Sequence, residues 1–476
     1  MLVIVMSDNI QTTLNDFYII NNINIKEKDN ELNLINKLDK IDWSFKGYKT
    51  QYLTHKFHPY PARFIPQIPS IFMRLFTNPH DIILDPFCGC GTTNVEALLN
   101  NRHSIGIDLN PLAVLIAKVK VTPLSSREIT LLDRIIDSIK VKFKKYECGE
   151  YKLDYEEIIH KLPKRKISKY FIDNPDLTAK LMIIKESIKE LLEQDEINVA
   201  NFLKVALSAT IWSITENKGK ISVNRFFDKV KMMKEEIINL KSSLHDFPIT
   251  LIIEGDARFL PLDDNVVDLI VTSPPYVNAL DYHRIHMYSM FWLDLDFKKF
   301  RKHEIGAHSH FIHNRFRLLS KYLGDILRAL LEMNRVLKDS KFTIIVVGNS
   351  IIEYEFIESW KFISDMASKV GFKLIKVYHR PIDPSRKYTS RDIGNINDEY
   401  IIILQKVKDV NINVNDNNFI ANIVCYELEK FFEQVKRSPG SGVVYSRKKP
   451  SKDRLEQNIE KLKEAITNVK KDISIT

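Results

Sequence analysis

The sequence predicts an open, mostly parallel α/β sheet interrupted by a helical block. Three observations carry this. Short apolar runs at 82–85, 104–108, 249–254, 267–272, 342–348, 372–378 and 400–405 have the length and composition of strands. Helical patterns lie between several of them, at 92–100, 111–118, 319–337 and 356–370, the alternation of an α/β fold. Between about 125 and 245 the alternation stops: Leu177, Leu181, Ile184, Ile188 and Leu191 recur at helical spacing, and 198–214 and 225–240 read the same way.

In chain order, residues 1–50 are polar with scattered apolar positions and are expected to form a loosely packed arm. A proline-rich stretch, His58-Pro-Tyr-Pro-Ala-Arg-Phe-Ile-Pro66, precedes a short amphipathic helix. The α/β domain is then split between 51–124 and 246–408, with 125–245 as an insertion. Beyond 408 an Asn/Asp-rich stretch reads as a linker, leading to a short helix and a basic tail over 409–476.

The composition, 44% apolar and 28% charged over 476 residues, is that of a globular chain. The net charge is +9, and residues 430–476 carry twelve Lys or Arg against six Asp or Glu. Charge gathered in this way points to a polyanion partner. Cys88, Cys90, Cys148 and Cys425 form no CxxC pair, so no disulfide framework or zinc module follows, and a reducing, cytoplasmic location is expected. The opening Met-Leu-Val-Ile-Val-Met turns polar at Ser7-Asp8 without the basic segment of a signal peptide. No apolar run approaches the roughly 18–20 residues that span a bilayer, and no membrane partner is expected.

Asp85-Pro-Phe-Cys-Gly-Cys-Gly-Thr-Thr93 follows the first strand and opens a helix. Gly89 and Gly91 let the backbone turn tightly and approach a ligand, and the helix N-terminus offers free N–H groups. No lysine follows the second glycine, so this is not a phosphate-cradling loop. Asn94 stands where a dinucleotide fingerprint has its third glycine. Asp108 ends the second strand, where it can hold two ribose hydroxyls. Asp256 ends the third and can accept from an adenine amino group. The combination suits an adenosine without phosphates, such as S-adenosyl-L-methionine. An ordinary loop accounts for the two glycines alone, but not for Asp85, Asp108 and Asp256 each at a strand end.

Ser273-Pro274-Pro275-Tyr276 follows the strand at 267–272. Consecutive prolines stiffen the backbone and remove donors, so fixed carbonyl acceptors are presented where open sheets bind ligands. Tyr276 can stack on a planar ring. Methylation of an exocyclic amine needs this arrangement. The lone pair of such a nitrogen is delocalised into its ring, and acceptors on its two hydrogens, the Ser273 hydroxyl and the Pro274 carbonyl, draw it out of conjugation. Preorganised dipoles and positioning do the rest. A base in a duplex reaches such a site only by flipping out.

On these motifs the chain resembles the DNA amino-methyltransferases, which make N4-methylcytosine or N6-methyladenine. Asp85-Pro-Phe-x-Gly-x-Gly-Thr92 is similar to the family's cofactor motif and Ser273-Pro-Pro-Tyr276 to its catalytic tetrad, in the serine form commoner among cytosine-N4 enzymes. The 58–64 stretch resembles the segment that closes over the methionine part of the cofactor. Arg380-Pro-Ile-Asp-Pro-Ser-Arg386 and Glu399-Tyr-Ile-Ile-Ile resemble its last two strands. The resemblance implies a Rossmann-like methyltransferase sheet of seven strands, the last antiparallel. It implies S-adenosyl-L-methionine as cofactor, bound by Tyr60, Phe64, Asp85, Phe87, Gly89, Gly91, Thr92, Asp108 and Asp256, with Ser273, Pro274, Pro275 and Tyr276 catalytic. It also implies double-stranded DNA as partner and a cognate restriction endonuclease as functional partner. The family pattern lacks so long a gap between Asp108 and Asp256, so target recognition is expected in 125–245, helped by 283–316 and the basic tail.

Cytosine-C5 methylation needs a cysteine nucleophile, and no cysteine lies beside the tetrad. Asp281-Tyr282-His283-Arg284 and His286 read either as base-pocket or phosphate contacts or as a solvated loop. His303, His308, His310 and His313, with Arg301, Lys302, Arg315 and Arg317, suit DNA-backbone contact. Methyl transfer needs no metal, and none is expected. Arg447-Lys-Lys-Pro-Ser-Lys452 reads as a flexible basic arm. The expected activity is site-specific methylation of cytosine N4 in duplex DNA. The alternatives are adenine-N6 methylation, an RNA base-amine methyltransferase and an inactive DNA-binding protein.

Overall fold

The computed structural model describes residues 31–153, 156–244, 246–307, 311–383, 397–441 and 451–474. Its strands are β1 (Ile82–Asp85), β2 (His103–Asp108), β3 (Thr250–Glu254), β4 (Val267–Thr272), β5 (Leu337–Gly348), β6 (Ser350–Ile352), β7 (Glu355–Ile357), β8 (Phe372–Pro381) and β9 (Asp398–Lys406). The helices of eight or more residues are α1 (Glu31–Leu38), α2 (Gln67–Phe76), α3 (Thr92–Leu99), α4 (Pro111–Val121), α5 (Ser126–Glu147), α6 (Pro175–Glu193), α7 (Ile197–Glu216), α8 (Arg225–Ser243), α9 (Arg315–Val336), α10 (Ser359–Lys369), α11 (Asn417–Arg437) and α12 (Lys452–Thr467).

Seven strands form one sheet in the order β3-β2-β1-β4-β5-β9-β8, and β6 pairs with β7 apart from it. Strands β1 to β5 pair in parallel. β9 runs antiparallel to both β5 and β8, so the expected seven-stranded sheet with one reversed strand is what forms. β4 is buried along its whole length, as a central strand covered on both faces must be. The order reverses between β1 and β4, and the crevice beyond their carboxyl ends is where such sheets bind ligands.

One face of the sheet is covered by α2 and the chain before it. Trp43 stacks on Phe72 at 5.6 Å and leans on Tyr378 of β8 at 5.2 Å. Leu38, Trp43 and Phe45 are buried. The loosely packed arm expected at 1–50 is therefore corrected for 31–50; residues 1–30 lie outside the described residues. Three isolated apolar side chains show no period, so the sequence pattern does not reveal this anchor.

The other face is covered by α9 and α10, and α11 and α12 pack on α9 behind it. The short helix expected after the linker is α11, and the expectation is corrected for the basic tail, whose part at 452–473 is packed helix. Ile420, Val424, Leu428, Leu462, Ala465 and Ile473 are buried. The buried Asp472 carboxylate accepts from Nε and Nη2 of Arg317. Arg317 is thus tied to the C-terminus rather than turned to DNA. The basic residues 447–450 lie outside the described residues.

The block at 125–245 is helical, as expected. Ser125 and Glu128 form a capping box at the start of α5. α7 is long and apolar enough to cross a membrane, which corrects the reading that no run approaches that length. Its apolar window is 72% buried inside the protein, with Val199, Leu203, Ala206 and Leu207 fully enclosed. A helix apolar on all sides and enclosed in this way is a core helix.

Candidate active site

The turn between β1 and α3 owes its shape to its glycines. Gly89 has φ +49° and Gly91 φ +77°, both left-handed, a region that costs other residues roughly 1–2 kcal/mol. A Cβ on Gly91 would stand 2.9 Å from the Ala117 Cβ of α4, so glycine also lets the turn lie against that helix. From behind, the buried Lys120 ammonium donates to the Cys90 carbonyl at 2.8 Å. Burial pushes its pKa down to about 8.

Asp108, at the end of β2, accepts from the Gly89 N–H and the Asn110 N–H, each at 2.8 Å. The carboxylate thus braces the turn while facing the cavity. Burial pushes its pKa up to about 6, against the pull of those two amides. Asp85 sits one layer deeper and is fully buried. It accepts from the Thr272 hydroxyl at 2.6 Å. The residue before Ser273 is therefore bonded to the residue that opens the glycine turn, and the two motifs, almost 190 positions apart, are stitched together at the switch point. Burial pushes Asp85 up to about 6 as well, with Thr272 opposing.

Both motifs line one cavity of about 580 Å³. Its wall holds Tyr60, Phe64, Phe87, Gly89, Thr92 and Asp108 together with Ser273, Pro274, Pro275 and Tyr276. Of the expected site residues, Asp85 and Gly91 lie behind the wall as supports. Asp256 is a correction: it does not line the cavity, and its carboxylate is taken by Arg258, whose Nε and Nη2 donate to it at 2.9 and 2.7 Å. Arg258 is buried and also reaches Asp325 at 2.8 Å. Burial opposes the Arg258 charge, but Asp325 and Asp256 outweigh it and raise its pKa.

Further wall residues were not legible as site residues. The Tyr276 hydroxyl donates to Glu399 Oε1 at 3.0 Å, and Arg380 pairs with Glu399 Oε2. Burial first, then Glu399, raises the Tyr276 pKa well above its ordinary value. α7 contributes Trp212 and Glu216. Trp212 belongs to a ring cluster that joins the insertion to the 58–64 segment: His286 lies 5.6 Å from Trp212 and 5.0 Å from Tyr60, which stacks on Tyr282 at 5.7 Å. His58 Nε2 meets the Ser208 hydroxyl of α7 at 2.8 Å. Burial pushes His58 and His286 down to about 3, so both are neutral near pH 7. His283 is buried and pairs with Glu304 at 2.5 Å. His283 and His286 are thus buried side chains, not phosphate contacts. His308 and His310 lie outside the described residues.

Sheet order, glycine turn and strand-end carboxylate together define a Rossmann-like methyltransferase core. Comparison with known proteins narrows this. The family model described as DNA methylase, of N6/N4 type, matches residues 5–119 and 267–471. The type II methyltransferase M.MjaII of Methanocaldococcus jannaschii is 25% identical over 441 residues, covering 72% of this chain and 80% of its own. M.MvaI of Kocuria varians, also a type II methyltransferase, is 26% identical over 444 residues, covering 77% and 94%. A solved S-adenosylmethionine-dependent methyltransferase from Methanosarcina mazei matches with a TM-score of 0.30 at 11% identity, over 74% of this chain and 100% of that one. The chain belongs to the N6/N4 DNA methylase family. It is a DNA methyltransferase, and its cofactor is S-adenosyl-L-methionine. The residues present fit that group: a glycine turn open to a ligand at Gly89, a carboxylate beside it, and no lysine on the turn to demand a phosphate.

Proposed function

We propose that the protein methylates the N4 amine of cytosine in duplex DNA at a short target sequence, as the modification enzyme of a type II restriction–modification system in the cytoplasm. A cognate endonuclease is its functional partner. The observation that carries the reading is Ser273, a hydroxyl rather than a carboxylate, at the head of the tetrad in the cavity that holds the glycine turn.

S-adenosyl-L-methionine supplies a methyl group on a sulfonium. Asp108 would accept from the ribose hydroxyls, and the amides at the start of α3 would face the ligand. Tyr60, Phe64 and Phe87 would cover it, with Thr92 at the helix start and Asp85 and Gly91 holding the turn from behind. The Ser273 hydroxyl and Pro274 carbonyl accept from the two amine hydrogens of the flipped base, Pro275 keeps that segment rigid, and the Tyr276 ring stacks on the base. The nitrogen lone pair would then attack the methyl carbon in line while the carbon–sulfur bond breaks and S-adenosylhomocysteine leaves, the methylated amine losing its extra proton to water, with positioning as the main contribution. Asp256 has no part in this reading. Target recognition belongs to the insertion at 125–245, which lies outside the family-matched segments and sends the end of α7 into the cavity wall.

DNA from a host expressing the chain, digested to nucleosides and weighed, tests the reading. N4-methylcytosine is expected. N6-methyladenine would replace the proposed base while keeping the same machinery, and methyl groups on tRNA alone would overturn the DNA substrate.

A further inference from the structure

The tetrad carries one polar group that the chemistry above leaves without a task, the Tyr276 hydroxyl. Stacking needs only the ring. The hydroxyl nevertheless donates to Glu399 at 3.0 Å and is also hydrogen-bonded to the Ser273 side chain, and Glu399 is paired with Arg380. All three side chains are at least nine-tenths buried, and all three line the cavity.

The sheet explains how they meet. Arg380 on β8 and Glu399 on β9 are directly opposite in the antiparallel register, and Gly348 at the end of β5 faces Glu399 from the other side. Because β9 is reversed, its first residues stand at the edge where the parallel strands end. A carboxylate near its start is therefore delivered to the ligand edge, within reach of the tetrad after β4.

Burying an ion pair is costly and often adds little stability. Here the pair spends one carboxylate oxygen on a catalytic-motif hydroxyl. We propose that Glu399, held by Arg380, is a positioning residue that fixes the Tyr276 ring in the plane on which the target base stacks. The proposal rests on the tetrad reading given above. Glu399 acts only through Tyr276, so it should leave cofactor binding alone and should have no effect once the hydroxyl is gone.

A double-mutant cycle reads this directly. Labelled methyl transfer to unmodified DNA is measured for Tyr276→Phe, for the paired replacement Arg380→Met with Glu399→Met, and for the combination. Replacing both charges avoids stranding either one in the interior. Losing a hydrogen bond to a charged group predicts a fall in kcat of about 10- to 100-fold for each. KM for S-adenosylmethionine should stay within about twofold, as expected for an interaction that matters only after binding. The combined variant should be no slower than either alone.

Losses that multiply, or a Tyr276→Phe enzyme as fast as wild type, would overturn the proposal. Should the paired replacement not fold, Glu399→Gln runs the same cycle with the side-chain volume kept. Tyr276→Ala and Ser273→Ala separate this inference from the reading beneath it. Full activity in those two would overturn the tetrad itself, whereas their inactivity beside multiplying losses would overturn only the role of Glu399.

Discussion

Asp108 and Asp256 stand at matching places on neighbouring parallel strands and have opposite fates. Asp108 ends β2, and Asp256 follows β3 by two residues; the backbone even ties the two together, with the Gly255 N–H donating to the Asp108 carbonyl at 3.0 Å. Asp108 is met by two backbone amides and keeps a face on the cavity. Asp256 is met by a guanidinium two residues on and is spent on it. The difference teaches that a strand-end carboxylate is a ligand-binding group only if its own chain leaves it lone pairs. Asn110 supplies an N–H and no charge, whereas Arg258 supplies a charge that the buried Asp325 helps hold.

The variants that break this comparison begin with Asp325→Ala. It removes one of two anions from an arginine that is 2% exposed, so a stability loss of about 3–5 kcal/mol is expected by thermal or denaturant unfolding. A loss under about 1 kcal/mol would mean that Asp256 alone suffices.

Next comes Asp108→Ala. It strips the turn of its brace and the ribose hydroxyls of their acceptor, and S-adenosylmethionine affinity should fall about 10- to 100-fold by calorimetry. Unchanged affinity would remove Asp108 from the site.

The pH dependence sharpens the same point. Burial raises the Asp108 carboxyl from 3.8 to about 6, so the folded protein holds that proton more tightly than the unfolded chain. This residue's contribution to stability therefore declines as pH rises from about 4 to about 6. Cofactor binding runs the other way, because the carboxylate is the acceptor: affinity should be full above pH 6 and weaken as pH falls through it. Asp85 also titrates near 6, so Asp108→Asn must flatten the profile. A profile that persists would belong to Asp85.

The smallest effect is expected at Asp256→Asn. Its side chain is 20% exposed and Arg258 keeps Asp325. Stability should fall by no more than about 1 kcal/mol and cofactor affinity should not change. An affinity loss equal to that of Asp108→Ala would erase the distinction.

Much of the fold was legible because it is written locally. All seven strands of the main sheet sit where apolar runs predict them, and α6, α7 and α8 match their helical periods within a few residues. The cavity was legible in its two motifs because each is contiguous and carries residues, Gly89, Gly91 and the Ser273–Tyr276 tetrad, whose backbone chemistry is distinctive. Asp256 misled because sequence shows a strand-end acid but not the Arg258–Asp325 pair that claims it. Glu399 and Trp212 were missed as site residues because their roles come from β9 register and from α7 packing, neither of which leaves a local pattern. The C-terminal helices were misread for a similar reason. Their exposed faces are so rich in Lys and Glu that Leu462, Ala465 and Ile473 drop below notice, although they are buried where these helices pack on α9 and α11.

The central claim is that the glycine turn and the proline tetrad are two halves of one cavity, one binding and one reacting. Single-turnover transfer of a labelled methyl group to duplex DNA, measured beside equilibrium binding of S-adenosylmethionine, tests it on Ser273→Ala. The account predicts wild-type affinity for the cofactor with transfer slowed by about 100-fold or more, the signature of an interaction made only on the way to the transition state. Transfer at the wild-type rate, or a loss confined to cofactor affinity, would contradict it.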